Sequence, residues 1–323
     1  MQPPRTTGNG RQKTADLEIR KPFRRTPWWL RAVAAMPLPV WYFIAEVSAW
    51  IAEHALRHHR ALVNAHLQLC FPGRDAAWIA ATRRSFYRNF AGVICEMIKA
   101  IAVSKDEIRR RVRFVDADPA RVALDAGQSI LVVTSHNCNW EWTLLALSIG
   151  MGHPVHAAYK PLVRPWNDRF FLTLRSRFGA QMIASGRLLM RVLRHRGQAR
   201  IVAMVADQNP VSSSNRYFAQ FFGQDTAFYL GPDVIARTSR MPVYYLAMRR
   251  EARGFYTVTF EPIADAGEEL AEGAIIDRYA KRVEALTREH PADWLWTYRR
   301  WKIRGPQAAA GEGAASGESS GPD

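Results

Sequence analysis

The chain has 323 residues, a formal net charge of +16 and three cysteines without CxxC pairing, so neither a zinc site nor a disulfide framework is indicated. The charge favours a polyanionic partner such as anionic lipid, nucleic acid or an acidic protein. The sequence contains no helix-turn-helix, zinc-finger or aromatic RNA-binding motif. We therefore expect no nucleic acid partner, and the length fits one large domain with appendages.

The N-terminal part has two contrasting segments. Residues 1–25 are polar and basic, which predicts a disordered arm. Residues 26–56 are apolar and rich in tryptophan, which suits the headgroup region of a membrane. The fourteen apolar residues between Arg31 and Glu46 are short for a bilayer span. We predict an interfacial or obliquely inserted membrane anchor, with a buried core helix as the alternative.

The rest of the chain alternates between strand and helix patterns. A helix is expected from about residue 75 to 102, and apolar runs predict strands at 129–135, 155–159, 200–206, 243–248 and 254–261. Helices are predicted between and after them at 165–178, 186–196 and 268–290. This alternation predicts an α/β domain over residues 57–304, with a mostly parallel central sheet covered by helices. Residues 305–323 are of low complexity and are predicted to be disordered.

Two chemically active side chains fall at one strand-to-helix junction. "SILVVTS" predicts a central strand, and "WTLLALSIG" predicts a returning helix. His136 lies in the turn between them, and Glu141 lies in the first turn of the helix. Ligands of open α/β sheets bind outside the carboxyl ends of strands. We predict that the turn lets Glu141 reach the imidazole, so that His136 acts as a general base on a substrate hydroxyl.

Three other interpretations of this junction remain open on the residues alone. Cys138 could be a nucleophile, although no second feature supports it. His136, Cys138 and Glu141 could bind a metal, but further spaced ligands are lacking. The histidine could also be a structural residue in a turn, which its spacing alone favours. We expect neither a metal nor a cofactor.

Several blocks of the chain, in order, resemble one protein family. They include "HRALVNAHLQLCFPGRD", "SHNCNWEW", "AYKPLVRPWNDRFF", "VAMVADQNP" and "HPADWLWTYRRWK". The junction is similar to the His-x4-Asp/Glu motif of the lysophospholipid acyltransferase superfamily. Over roughly residues 27–304 the chain resembles the lipid A biosynthesis (lauroyl/myristoyl) acyltransferase family. The resemblance implies a glycerol-3-phosphate acyltransferase-like fold with a membrane-associated N-terminal helical segment.

The resemblance also implies an activity and its partners. A fatty acyl group would pass from an acyl carrier protein thioester to a hydroxyl of a lipid A precursor or related glycolipid, without an acyl-enzyme. The implied location is the bacterial inner membrane, with the catalytic domain facing the cytoplasm. A phospholipid or other glycolipid acceptor is the nearer alternative. A non-catalytic basic protein that binds anionic lipid or nucleic acid is the alternative from another class.

The same resemblance assigns roles to individual residues. His136 and Glu141 would be the catalytic dyad, and Arg175 in "LRSRFG" would help to polarise the thioester carbonyl. From the residues alone, Arg175 could equally form a surface ion pair, and an aspartate at a strand end often caps a turn. The expected substrate-binding residues are Arg175, Lys160, which stands where many members carry arginine, Asp207 and Gln208.

Overall fold

The computed structural model describes residues 19–210, 215–303 and 305. Most of the predicted basic arm, and all but Gly305 of the predicted tail, therefore lie outside the described residues. The N-terminal third is helical. Its helices are α1 (Trp28–Ala35), α2 (Leu38–Trp50), α3 (Arg60–Cys70), α4 (Ala76–Lys99) and α5 (Lys105–Arg111).

Strands and helices alternate after α5. The order is β1 (Val112–Val115), α6 (Asp118–Asp125), β2 (Ile130–Thr134), α7 (Trp140–Gly150), β3 (Val155–Tyr159), α8 (Pro165–Arg175), β4 (Gln181–Ala184), α9 (Leu188–Arg194), β5 (Ile201–Val205), β6 (Arg216–Phe221), β7 (Gln224–Tyr229), α10 (Gly231–Ser239), β8 (Val243–Ala252), β9 (Phe255–Ala264) and α11 (Ala274–Glu289). All five predicted strands are present. The sequence reading missed β1 and β4, each of four residues, and the β6–β7 hairpin.

One seven-stranded sheet organises the domain, in the order β1-β9-β8-β2-β5-β3-β4. Every neighbouring pair is parallel except β8 and β9. Strand β2 is buried along its whole length because helices cover both faces. Its alternate side chains, such as Leu131 and Val132, enter different hydrophobic clusters on the two faces. The predicted α/β fold with a mostly parallel central sheet is confirmed.

Helices α1 and α2 meet at an angle of 91° at a break beside Pro37. No single helix in the described ranges has the length and apolar character needed to cross a membrane; the bent pair meets that test only as a unit. The buried side of α2, with Trp41 and Ala45, packs with Cys95 of α4. On the outer side, Trp28 is 81 % exposed and Phe43 is 70 % exposed. One side of the α1–α2 pair therefore packs against the domain, and the other side exposes apolar side chains.

The segment before α1 lies against α8 where the structure describes it. The Arg20 guanidinium donates to the buried Asp168 carboxylate at 3.3 Å, and the Phe23 backbone N–H donates to the Thr173 hydroxyl at 2.9 Å. Trp29 of α1 stacks on Trp166 of α8, with 6.1 Å between ring centroids. The apolar N-terminal helices are thus tied to the helix that ends at Arg175.

Candidate active site

The pairing of β2 with β5 brings two distant parts of the chain together. Thr134 and Val205 are register partners at the ends of these parallel strands. His136 and Asp207 each lie two residues further on, at the carboxyl edge of the sheet. Because the strands are neighbours, side chains at this edge can meet although they are 71 positions apart in the sequence.

His136 and Asp207 form a close hydrogen-bonded pair. The imidazole Nδ1 lies 2.5 Å from Asp207 Oδ1, while the His136 backbone N–H donates to Oδ2 at 2.8 Å. The Trp294 indole N–H also donates to Oδ2, at 2.9 Å. Burial of Asp207 opposes its ionisation, but the His136 charge and these hydrogen bonds outweigh it and lower the pKa of the carboxyl. Asp207 is therefore an ionised carboxylate held against the imidazole.

This pairing determines which ring nitrogen is available for chemistry. An ionised Asp207 can only accept, so Nδ1 carries the proton that it donates. In the neutral imidazole the other nitrogen, Nε2, is unprotonated, and the Gln208 side-chain amide lies 3.2 Å from it, as a donor. The ring packs edge-on against Trp140, with 4.8 Å between centroids. His136 therefore presents a basic nitrogen in a fixed orientation, as a general base requires.

Glu141 does not have the partner that we predicted for it. Its carboxylate accepts two hydrogen bonds from the Arg175 guanidinium, at 2.8 and 2.6 Å, and one from the Trp140 indole, at 3.1 Å. Among the described residues no hydrogen bond joins Glu141 to His136; the imidazole partner is Asp207. The predicted contact was wrong because it considered only neighbours in sequence, whereas the sheet supplies a carboxylate from another strand. The catalytic participation of Glu141 stays a prediction.

Arg175 is not the surface ion pair that remained open on sequence grounds. Its bidentate partner Glu141 is 2 % exposed, and its guanidinium lies over the rings of Tyr159 and Phe171. Burial disfavours the charged guanidinium, but the Glu141 carboxylate outweighs that effect and raises the pKa of Arg175. A permanent cation therefore lies in the same wall as the imidazole.

A cavity of about 650 Å³ opens beside these groups. Five of the six predicted site residues contribute to its wall, namely His136, Glu141, Lys160, Arg175 and Gln208. Apolar side chains of the sheet and of helices α4 and α7 line much of it, namely Ile94, Met97, Val132, Leu144, Leu147, Ala157, Met182, Ala203 and Leu246. The size is that of a small-molecule site, and the lining suits a hydrocarbon chain.

Asp207 lies apart from that wall. Its carboxylate is 2 % exposed and is not among the groups that line the cavity. The fold brings together the predicted substrate-binding residues Lys160, Arg175 and Gln208. Asp207 instead lies behind the imidazole and would act through His136.

Buried side chains that the sequence analysis did not identify hold the turn around His136 in place. The Tyr279 hydroxyl donates to the Thr134 carbonyl at 2.8 Å, and the Tyr245 hydroxyl lies 2.8 Å from the Ser135 hydroxyl. Trp294 supports Asp207, as described above. None of these residues is near His136 in sequence, so only the tertiary fold reveals them.

The start of α7 rests on a buried carboxylate. Asn139 caps the helix by accepting from the Trp142 backbone N–H at 3.0 Å, and its amide donates to Glu96 at 2.8 Å. Glu96 is fully buried and also accepts from the hydroxyls of Tyr256 and Tyr42, at 2.7 and 3.0 Å. A carboxylate next to Met97 in the apolar stripe of α4 was a signal that could have indicated this role.

The alternative chemistry at the junction finds no support. Burial, the main cause, raises the pKa of the Cys138 thiol well above its ordinary value, and the side chain is 2 % exposed. A thiol in that state is a poor nucleophile. Within the ranges that the structure describes, no group of three His, Cys, Asp or Glu side chains could hold a metal ion.

A hydrogen-bonded histidine in the wall of an apolar cavity suits an enzyme that activates a group next to a lipid-like chain. The comparison with protein families is consistent with this class: residues 26–303 match the model of the bacterial lipid A biosynthesis acyltransferases. The chain belongs to that family and is an acyltransferase. A comparison with curated proteins gave no match.

Proposed function

We propose that this protein transfers a fatty acyl group from an acyl carrier protein thioester to a hydroxyl of a lipid A precursor or related glycolipid. The observation that carries the proposal is that His136, held by Asp207, lines the apolar cavity. An acyl chain fits the apolar depth, which leaves its thioester carbonyl near the polar mouth. The family membership supports the lipid A pathway as the setting.

The proposed chemistry is a direct transfer. His136 Nε2 removes the proton of the acceptor hydroxyl as the oxygen attacks the thioester carbonyl, and Asp207 stabilises the resulting imidazolium. The carbonyl oxygen gains negative charge, and Arg175, a cation in the cavity wall, can stabilise it. Collapse of this tetrahedral intermediate expels the thiolate, which takes the proton from the imidazolium. No protein nucleophile is required.

A membrane location is part of the proposal. The outer side of α1 and α2 exposes Trp28, Phe43 and Trp50, which are 81, 70 and 61 % exposed. Val163, 75 % exposed, lines the cavity and lies three residues before Trp166, which stacks on α1. Apolar and indole side chains of this kind suit a membrane interface. We expect this surface to bind the bacterial inner membrane from the cytoplasmic side, so that a lipid acceptor reaches the cavity without crossing water.

The test is a transfer assay with purified protein, acyl carrier protein thioesters and a panel of acceptor lipids, read by mass spectrometry. His136→Ala should reduce transfer by up to about 10⁴-fold, because the hydroxyl loses its base. The matched control is His153→Ala, which removes a histidine that also pairs with an aspartate, at 2.9 Å, but on the surface. Normal turnover by folded His136→Ala protein would contradict the mechanism.

The panel also decides between acceptors. Addition of an acyl chain to a lipid A precursor supports the proposed substrate, and transfer only to a phospholipid supports the nearer alternative. Absence of transfer with every donor and acceptor, together with salt-sensitive binding to anionic vesicles, would support the non-catalytic alternative.

A further inference from the structure

One stretch of the chain is unusual in its charge. Between Asp168 and Asp207 the sequence contains eight arginines and no acidic residue. Two of these arginines have internal roles: Arg175 pairs with Glu141, and Arg200 is buried against His156. The remaining arginines include a group on and around α9, namely Arg187, Arg191, Arg194 and Arg196. We call this group the α9 basic face.

The arginines of the α9 basic face lack carboxylate partners among the described residues. Arg187 and Arg194 are exposed and form no ion pair there. Arg191 donates only to the Gln181 amide, at 3.4 Å, and Arg196 to the Thr238 carbonyl, at 3.1 Å. A positive surface of this kind is uncompensated and attracts an acidic partner.

Helices α5 and α11 also carry exposed arginines but differ from α9. On α5 the Arg110 guanidinium pairs with Glu107 at 2.5 Å, and on α11 Arg288 pairs with Glu284 at 2.7 Å. Such pairs, three or four residues apart, neutralise the helix surface within the helix itself. The α9 basic face has no such pairs, so its positive charge is not neutralised within the helix.

The position of the α9 basic face links it to the cavity. Strand β4 lies at the edge of the sheet, and Ser185, directly after it, lines the cavity. Arg187 follows two residues later, and α9 extends about 10 Å from there. Lys160, at the end of the neighbouring strand β3, is exposed and lines the same cavity. The positive surface therefore begins at the cavity mouth.

The side chains of this face suit a protein better than a bilayer. Residues 185–198 contain no tryptophan, tyrosine or phenylalanine, whereas the exposed surface of α1 and α2 contains several. The one strongly exposed apolar side chain in this stretch is Met190, at 61 %. A single flexible apolar contact surrounded by cations is typical of a transient protein interface.

We propose that the α9 basic face is the docking surface for the acidic protein that delivers the acyl thioester. This inference rests on the proposed function, because it assigns a surface to the donor of that reaction. The donor would bind by charge across α9 and insert its acyl chain at the mouth marked by Ser185 and Lys160. The apolar surface of α1 and α2 stays free for the membrane.

The test compares two donors that carry the same acyl chain. One is the acyl carrier protein thioester, and the other is the uncharged N-acetylcysteamine thioester, which needs no protein surface. For Arg187→Glu/Arg194→Glu, the ratio of kcat/KM for the carrier donor to that for the small donor should fall about tenfold or more. Added salt should reduce the same ratio in the unaltered enzyme, because surface attraction is screened.

A matched control places two charge reversals elsewhere. Lys281→Glu/Arg113→Glu alters exposed residues of α11 and of β1, the strand at the opposite edge of the sheet from β4. This variant has the same net charge as the test variant, and its donor ratio should equal that of the unaltered enzyme. An equal fall in both variants would show that net charge, not the α9 basic face, attracts the donor.

The remaining outcomes are distinct. An unchanged ratio in Arg187→Glu/Arg194→Glu overturns the docking proposal. An unchanged ratio with lost binding to phosphatidylglycerol vesicles would assign the face to anionic lipid instead. A lack of transfer from either donor in the unaltered enzyme would count against the proposed function itself, not only against the docking surface.

Discussion

Two histidine–aspartate pairs among the residues that the structure describes have opposite surroundings. His153 contacts Asp125 at 2.9 Å, but the Asp125 side chain is 76 % exposed, and water can replace the contact. His136 contacts Asp207 at 2.5 Å, and the Asp207 side chain is 3 % exposed. Only the second aspartate is also held by a backbone N–H and an indole N–H. The comparison shows that the two pairs differ in the groups that fix the aspartate, which is why we expect only His136 to act as a base.

The largest difference between the two pairs should come from Asp207→Asn and Asp125→Asn. The His136 backbone and Trp294 both donate to Oδ2, so the new amide oxygen will stay there and the NH₂ group will face Nδ1. Nδ1 must then accept, which leaves the proton on Nε2, the wrong nitrogen for a base. We expect a loss of about 10³-fold in kcat for Asp207→Asn and none for Asp125→Asn.

The measurement is steady-state transfer together with ¹⁵N NMR of the imidazole, which identifies the protonated nitrogen. An unchanged tautomer with normal kcat in Asp207→Asn would show that the buried pair is structural. The acidic side of the stability curve gives an independent check. The lowered pKa of Asp207 contributes stability above its ordinary value of 3.8, and this is lost as the pH falls through the folded-state value. Asp207→Asn should lack that contribution.

The second comparison is between the carboxylates of Glu141 and Asp207. If Glu141 acts through Arg175, as their bidentate contact indicates, Glu141→Gln and Arg175→Gln should each lower kcat/KM by about 10²-fold. The double variant should then be little worse than either one. If Glu141 instead assists His136, its loss should be non-additive with Asp207→Asn. A double-mutant cycle in kcat/KM decides between the two.

Much of this site could be anticipated from sequence, and the reason for the rest is physical. His136 was located because an apolar run ends just before it, a local signal. Asp207 was identified too, at the end of another predicted strand, but not as the partner of His136. That partnership depends on β2 and β5 being neighbours, and strand order in a sheet is not a local property.

The short strands show the same limit. The four residues of β4 alternate too little to predict a strand, although they form the sheet edge from which α9 starts. The predicted anchor was one segment, whereas the structure divides it at Pro37 into two helices at 91°. Proline signals a break but not its angle. Trp294 was part of a quoted block without a role, because its indole acts on a residue 87 positions away.

A smaller effect should distinguish two buried tryptophans. Trp294→Phe removes the indole donor to Asp207, whereas Trp296→Phe removes one to the Pro291 carbonyl, at 2.6 Å. Without its donor, Asp207 should have a pKa closer to its ordinary value, and the carboxylate should hold the imidazolium more strongly. We expect kcat to fall by about tenfold at most in Trp294→Phe, which is the scale of one hydrogen bond to a charged group.

The informative readout for this pair is the pH profile of kcat. Its acidic limb should move to higher pH in Trp294→Phe and stay in place in Trp296→Phe, although both lose ring atoms from the core. Equal shifts in both variants would assign the effect to packing. The free energy of unfolding should differ most between Trp294→Phe and the unaltered protein above pH 3.8, and the gap should narrow below it as Asp207 takes up a proton.

The smallest effect should come from Cys138, two residues after His136. Cys138→Ala keeps the Cβ at the positive φ of 50° and the backbone N–H that donates to the Asp293 carbonyl at 2.9 Å, so the turn itself should not change. Only the buried sulfur is lost, at a cost of about 1 kcal/mol of stability. Cys95→Ala, also at a buried thiol, is the control. Transfer by both variants should match transfer by the unaltered enzyme, and intact-protein mass spectrometry during turnover should detect no acylated chain.

Two results would contradict direct attack by the acceptor hydroxyl. One is loss of transfer in Cys138→Ala alone, and the other is an acyl adduct that this variant abolishes. Either result would indicate a covalent route in which His136 activates the Cys138 thiol.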